Sequence, residues 1–197
     1  MKKSLTAALL SLAIVGAAAS AIGDGQLKIS ISGDRVNGDV AASDAKAVQD
    51  IVNKMGGFSD YDSKSGRLTV EKPDVNLLIL EGITQYKNKN LVFSNPIKGY
   101  GDKDIPRSFG VFVEVDNAPK ARNLKMKLVL IGPNGKEVED SKELTYSTQN
   151  NTSFYFSVPF ISTKLRDYGT YKMQLLMKTE KYDDYVVVGE NSFTVGR

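Results

Sequence analysis

The run Asp167-Tyr168-Gly169-Thr170-Tyr171-Lys172-Met173-Gln174-Leu175-Leu176-Met177 governs how the rest of the chain is read. Its first residues are turn formers. From Tyr171 onward the large apolar side chains recur at every second place, as Tyr171, Met173, Leu175 and Met177. Period two puts them on one face of a strand, with Lys172 and Gln174 on the other. A turn therefore delivers the chain into a half-buried strand, and a tyrosine stands at its mouth.

The same alternation extends outward on both sides. Phe109, Val111, Val113 and Val115 make one face of an earlier strand, and Leu124, Met126, Leu128 and Leu130 make the next. Gly132-Pro133-Asn134-Gly135 then turns the chain into Lys136-Glu137-Val138, while Phe154, Phe156 and Val158 form another strand and Tyr185 to Val195 the last. Val75 to Tyr86 holds the apolar run Leu77 to Leu80, suited to a first or linking strand, and Leu91-Val92-Phe93 follows a polar turn. Asn95 to Arg107, rich in Pro, Gly, Asp, Lys and Arg, reads as a loop. Strands of this length with no helical pattern between them predict an antiparallel sandwich.

Asp167-x-Gly169-x-Tyr171 at the start of such a strand resembles the tyrosine corner of immunoglobulin-like and fibronectin type III sandwiches. The resemblance implies that the Tyr171 hydroxyl ties back to nearby backbone and fixes the crossing between sheets. Antibody domains carry a cysteine two residues after this tyrosine; Met173 fills that place here. An ordinary β-hairpin could carry the same Gly and Tyr, and the hydroxyl's partner separates the two.

The first half reads differently. Gln26 to Ser32 alternates, with Leu27, Ile29 and Ile31 on one face; Gly33-Asp34 turns and Val36 to Val40 makes a short return. Ser43 or Asp44 can cap a helix in which Ala47, Val48, Ile51, Val52 and Met55 keep helical spacing, and Gly56-Gly57 ends it. Phe58 to Tyr61 and Arg67 to Glu71 are strands around the turn Asp62-Ser63-Lys64-Ser65-Gly66. Pro73 marks a change of texture. The fold class expected is therefore mainly β: a small α+β N-terminal domain over residues 22–73, then an antiparallel immunoglobulin-like β-sandwich over residues 74–197.

Three pieces of the first domain resemble the copper amine oxidase N-terminal-like domain of secreted Gram-positive proteins. They are the strand before Gly33-Asp34-Arg35-Val36, the helix ending Asn53-Lys54-Met55-Gly56-Gly57, and Tyr61-Asp62-Ser63-Lys64-Ser65-Gly66-Arg67-Leu68-Thr69-Val70. The family's longer second strand, with its arginine-rich entry to the helix, is missing. The resemblance implies an extracellular accessory role, and the family name implies no copper.

The chain opens Met1-Lys2-Lys3, runs almost without polar residues from Leu5 to Ala19, and reaches Ala19-Ser20-Ala21. A basic start, a short apolar stretch and an Ala-x-Ala site predict a secretory signal peptide over residues 1–21. The stretch falls short of the about 20 apolar residues that a membrane span needs. No membrane span is expected in the mature chain, which would begin at Ile22 and be secreted or held non-covalently at the cell wall. Loss of Lys2 and Lys3 lowers the net charge from +3 to +1, a balance that argues against a nucleic-acid partner.

Cys, His and Trp are all absent. That excludes disulfides, thiolate nucleophiles, a Ser-His-Asp triad and imidazole-held metals, and it removes the commonest sugar-stacking residue. Asp60 and Asp62 could begin a calcium loop, but Lys64 stands at its fifth place and no closing Glu follows. Adjacent acids such as Asp183-Asp184 lack the cleft-spanning separation that glycosidase chemistry requires. Ser63-Lys64 and Ser141-Lys142 read as turns. The expectation is a non-enzyme with no cofactor, no metal and no catalytic residues.

Two places suggest binding. Tyr182, Asp183, Asp184 and Tyr185 lie in the tip before the last strand, where stiff aromatic surfaces sit beside carboxylates. If Leu128, Leu130, Met173, Leu175 and Met177 face inward, Val129 and Leu176 point outward among lysines as an apolar patch. The partner expected is an extracellular protein or a cell-wall polysaccharide, with the chain acting as a binding or scaffolding protein. A carbohydrate-binding module and an inhibitor of an extracellular protease are the alternatives.

Overall fold

The computed structural model of the chain describes residues 28–31, 34–36 and 41–196. The expected signal peptide, Leu27, Gly33 and the return after Val36 lie outside the described residues. Among those described, no helix is long and apolar enough to cross a membrane.

The N-terminal unit is a four-stranded sheet with one helix. Its strands are β1 (Lys28–Ile31), β2 (Asp34–Val36), β3 (Phe58–Asp62) and β4 (Arg67–Glu71), ordered β2-β1-β4-β3. β1 and β4 run parallel, which the intervening helix α1 (Ala45–Lys54) permits, and the other pairs are antiparallel. Ala45, Val48 and Val52 face Ile29, Ile31, Leu68 and Val70 in a small core. Ala47 and Met55 are exposed, so the helix's apolar stripe is narrower than its sequence spacing suggests. The expected side-chain cap does not form. Asp44 ends a 3-10 turn (Ala42–Asp44) with helical backbone angles, and in that conformation its carboxylate makes no capping bond. Gly56 ends the helix at φ +79, as expected of glycine there. Asp62 closes its own turn, accepting from the Lys64 N–H at 3.0 Å and the Ser65 hydroxyl at 2.6 Å.

Lys72 and Pro73 lead from β4 into the sandwich. One sheet is β13-β9-β5, made of β5 (Asp74–Leu80), β9 (Pro106–Asp116) and β13 (Phe154–Lys164), all antiparallel. The facing sheet follows the order β11-β10-β14-β15-β8. Its strands are β8 (Gly99–Tyr100), β10 (Leu124–Ile131), β11 (Glu137–Asp140), β14 (Gly169–Lys178) and β15 (Val186–Val195); β12 (Leu144–Tyr146) also pairs β10. Of the six long strands, the first, second and fourth (β5, β9, β13) form one sheet and the third, fifth and sixth (β10, β14, β15) lie in the other, which is the immunoglobulin-like connectivity. The expected inward faces meet between the sheets: Val111, Val113, Leu128, Leu130, Met173, Leu175 and Met177 are fully buried.

Tyr171 occupies the corner. Its hydroxyl accepts from the Asp167 N–H at 2.9 Å and donates to the Asp167 carbonyl at 3.0 Å, while its ring stacks on Phe193 at 5.6 Å.

Two features depart from expectation. The segment 95–107 is not all loop: β8 pairs in parallel with the end of β15, and β9 already begins at Pro106. Gly99 makes the approach possible, since a Cβ there would lie 2.5 Å from the Thr194 carbonyl oxygen. The flanking segments 81–98 also fold back on the sandwich. β6 (Ile83–Gln85) and β7 (Leu91–Phe93) form a hairpin across the outer side of β9, with Ile83 over Gly110 and Phe93 4.8 Å from Phe112. β13 is an edge strand, and Pro159 together with a bulge at Ser162 (φ +58) disfavours a further strand pairing there.

The two units are packed together. Phe58, from β3, is fully buried in the sandwich's own core cluster. Gly56 lies so close to β15 that a Cβ would meet the Val187 carbonyl oxygen at 2.9 Å.

Candidate binding surfaces around the last hairpin

Residues 179–185 join β14 to β15 and carry four of the six residues singled out from sequence. The loop is pinned at its base. Thr179 and Tyr182 exchange backbone hydrogen bonds at 3.2 Å, and the buried Thr179 hydroxyl accepts from the N–H groups of Lys181 and Tyr182. This turn sends its two tyrosines in different directions.

Tyr182 goes to the N-terminal unit. Its ring lies 5.3 Å from that of Phe58, and Lys181 beside it pairs with the Asp60 carboxylate of β3. Burial pushes the Tyr182 phenol up, and the negative charges of Asp60 and Glu71 push the same way. Burial also raises the Glu71 carboxyl, against the pull of Lys181 and Lys120. The joint is thus partly desolvated.

Tyr185 folds over the outer face of β10 and β14. Its hydroxyl donates to Glu143, and the ammonium groups of Lys178 and Lys127 sit 4.7 and 5.7 Å from its ring centre. Burial, then that bond to a carboxylate, pushes its phenol up to about 12. Lys125 pairs with Glu143 at 2.9 Å, Lys127 with Asp140 at 3.1 Å and Lys172 with Glu190 at 3.0 Å. These lysines meet carboxylates of the same surface rather than facing an open field. Exposed pairs of this kind are screened by water and salt, so they organise the surface more than they stabilise it.

The apolar patch expected on this face is not exposed. Val129 is 3% exposed, and Leu176 is half-buried. Val129 sits in a central strand, flanked in register by Asp140 and Gln174, with Lys127 and Ile131 beside it on the same face. Long side chains on all sides cover a short branched one, their stems lying along apolar surface while the charged ends reach water. Asp183 and Asp184 are exposed at the tip. The structure therefore gathers Tyr185, Leu176 and Val129 on one charged face and separates Tyr182 from them.

A groove opens where Tyr182 meets the N-terminal unit. One wall is the helix side carrying Lys46, Gln49, Asp50 and Asn53; the other is β3 with Ser59 and Tyr61, and Tyr182 contributes from the sandwich. The Ser59 hydroxyl is buried and has no hydrogen-bond partner among the described residues, while its carbonyl accepts a long bond from Gln49 at 3.4 Å. Sequence reading missed this groove. The signal available was the spacing of Lys46, Asp50 and Asn53, which puts three polar side chains on one helix face. Among the described residues, no group of three His, Cys, Asp or Glu could hold a metal ion.

A second surface lies on the outside of β9, where Phe93, Phe112 and the largely exposed Tyr155 run in a row with ring centres 4.8 and 5.9 Å apart. The alternation along β9 and β13 marks Phe112 and Tyr155 as outward-facing, but the covering hairpin was not legible.

No family model matches the chain, and no curated protein matches it. Among solved structures, it is similar to a calcium-binding mutant of β-glucuronidase 2 from Bacteroides uniformis (12% identity, TM-score 0.41, 65% of this chain and 15% of that one). It is also similar to an immunoglobulin-like protein from Pseudomonas aeruginosa (12% identity, TM-score 0.31, 63% and 94%). A third likeness is to the CARDB domain of a Pyrococcus furiosus protein, in complex with di-metal ions (11% identity, TM-score 0.32, 64% and 96%). The chain thus spans a small part of the first of these and nearly all of the other two.

Proposed function

We propose that this chain is an exported, non-catalytic binding or scaffolding module of the bacterial cell surface, secreted or held non-covalently at the wall. The observation that carries the reading is the joint. The two units are fixed together by Phe58, Tyr182 and the Lys181–Asp60 pair, and an open groove between α1 and β3 of the N-terminal unit is bordered at the joint by Tyr182 of the sandwich. Rigid presentation of a surface is what a binding module requires. The lysine-rich start, apolar stretch and Ala19-Ser20-Ala21 support export. The resemblance of residues 29–70 to an accessory domain of secreted proteins supports the non-catalytic role. The exposed Asp183-Asp184 pair, lying on a tip rather than across a cleft, supports it too.

A protease inhibitor would present a free projecting loop. Here the tip singled out from sequence is drawn onto the N-terminal unit by Lys181 and Tyr182, so that alternative gains no support. The carbohydrate-binding alternative gains some, because tyrosines and amides line the groove.

The test is a pull-down with the chain from Ile22 onward against a bacterial cell-wall fraction, scored separately for polysaccharide and for protein. Saturable retention of either supports the proposal. Retention of neither contradicts it.

A further inference from the structure

We infer that the groove between α1, β3 and the last hairpin binds a short neutral oligosaccharide. The inference rests on the binding-module reading and names its site and ligand class. Lys46, Asp50 and Asn53 follow one another at spacings of four and three, so they form one exposed stripe. Although Lys46 and Asp50 are a favourable i, i+4 pair, no ion pair forms between them. None of the three side chains has a hydrogen-bond or ion-pair partner among the described residues. Both charge signs and an amide, which donates and accepts, are therefore free along one wall.

The opposite wall comes from the alternation of β3. Ser59 and Tyr61 stand two residues apart and line the same groove. The Ser59 hydroxyl is buried without a partner, a condition that costs free energy unless a ligand or water satisfies it. The end is closed from the other unit by Tyr182, half-buried on Phe58.

This set of groups selects its ligand chemically. Tyrosine offers an apolar ring with a polar tip, which matches the C–H faces of a sugar ring bordered by hydroxyls. Free carboxylate, amide and hydroxyl groups match vicinal hydroxyls that donate and accept at fixed spacing. Lys46 and Asp50 cancel in charge, which disfavours a strongly anionic or cationic ligand. The lining also carries apolar surface from Ala42, Ala45 and the two tyrosine rings, which a sugar's C–H faces would cover while its hydroxyls meet the polar groups. Polar groups placed around an aromatic surface in an open cleft are the general form of a small-ligand site.

The test uses the chain from Ile22 onward and calorimetric or NMR titration with three probes: short β-1,4-linked N-acetylglucosamine, β-1,4-linked glucose and α-1,4-linked glucose oligomers. The expected result is saturable binding of at least one. Asp50→Ala and Asn53→Ala should each weaken it about tenfold, a loss typical of a hydrogen bond to a buried ligand hydroxyl. Both positions are exposed on the helix, so thermal unfolding of these variants should match wild type and rule out misfolding. Ile161→Ala, at an exposed position of the edge strand β13, should bind as wild type does. Failure of all three probes overturns the inference, as does binding that Asp50→Ala and Asn53→Ala leave intact. If the wall fraction retains the chain through a protein while these oligomers do not bind, the groove assignment falls and the binding-module reading stands.

Discussion

The Tyr171 side chain is 1% exposed, yet its hydroxyl is fully engaged with the backbone of Asp167, which is itself exposed. Tyr171→Phe keeps the ring against Phe193 and deletes both bonds. Water can reach the freed Asp167 groups, so the expected cost is about 1 kcal/mol, the ordinary net value of such bonds, and not the larger penalty of a sealed site. A lowered denaturant midpoint at unchanged slope checks it; an unchanged midpoint means that the hydroxyl does not hold the corner. Tyr185 gives a pH-dependent counterpart. Its folded-state phenol is pushed above the free value of 10.0 to about 12, so the unfolded chain loses this proton first. Its contribution is complete below pH 10 and drains away as pH climbs from 10 towards 12. Tyr185→Phe should therefore lose less of its denaturation midpoint over that interval than wild type, and equal losses would mean that folding does not hold the phenol's proton more tightly. Tyr171 was legible in the sequence because the turn before it and the period after it fix both its position and its direction. Val129 was not. Alternation says which face a side chain takes, but not whether the neighbouring lysine stems will cover it.

Elements are held where backbones come close, and glycines mark those approaches. Gly56 serves two ends at once: it terminates α1 at φ +79 and lets the helix end rest on the Val187 carbonyl of β15. Gly56→Ala forces a side chain into the left-handed region and into that carbonyl, for which about 1–3 kcal/mol is the expected loss of stability. Gly101→Ala is the control, because a Cβ there meets nothing within 4 Å. Equal unfolding midpoints for the two variants would remove the close approach from the account. The long strands could be read directly, since β9, β10 and β14 each alternate over many residues. The two-residue β8 could not: its pairing with β15 is made by backbone groups, and side-chain periodicity carries no trace of it. The helix was found but its cap was misjudged, because the preceding 3-10 turn holds Asp44 in a helical conformation that a propensity argument does not foresee.

In the whole molecule the two units meet at an interface that the sequence hides. The change of texture at Pro73 is local, whereas Lys181 and Asp60 are 121 residues apart and no pattern links them. The tip residue expected to be free for a ligand, Tyr182, instead spends one face of its ring on Phe58, which enters the sandwich core. Its removal is therefore expected to loosen the joint as well as any bound ligand, and exposed Asp50 and Asn53 are the cleaner probes of the groove. The joint is also what makes the groove a fixed shape and not a variable gap. Scanning calorimetry of the chain from Ile22 onward tests this most directly. Wild type should show one cooperative transition, with calorimetric and van't Hoff enthalpies equal, and Tyr182→Ala a separate, earlier melting of the N-terminal unit. Two independent transitions in wild type, the lower unmoved by Tyr182→Ala, would contradict the fixed joint.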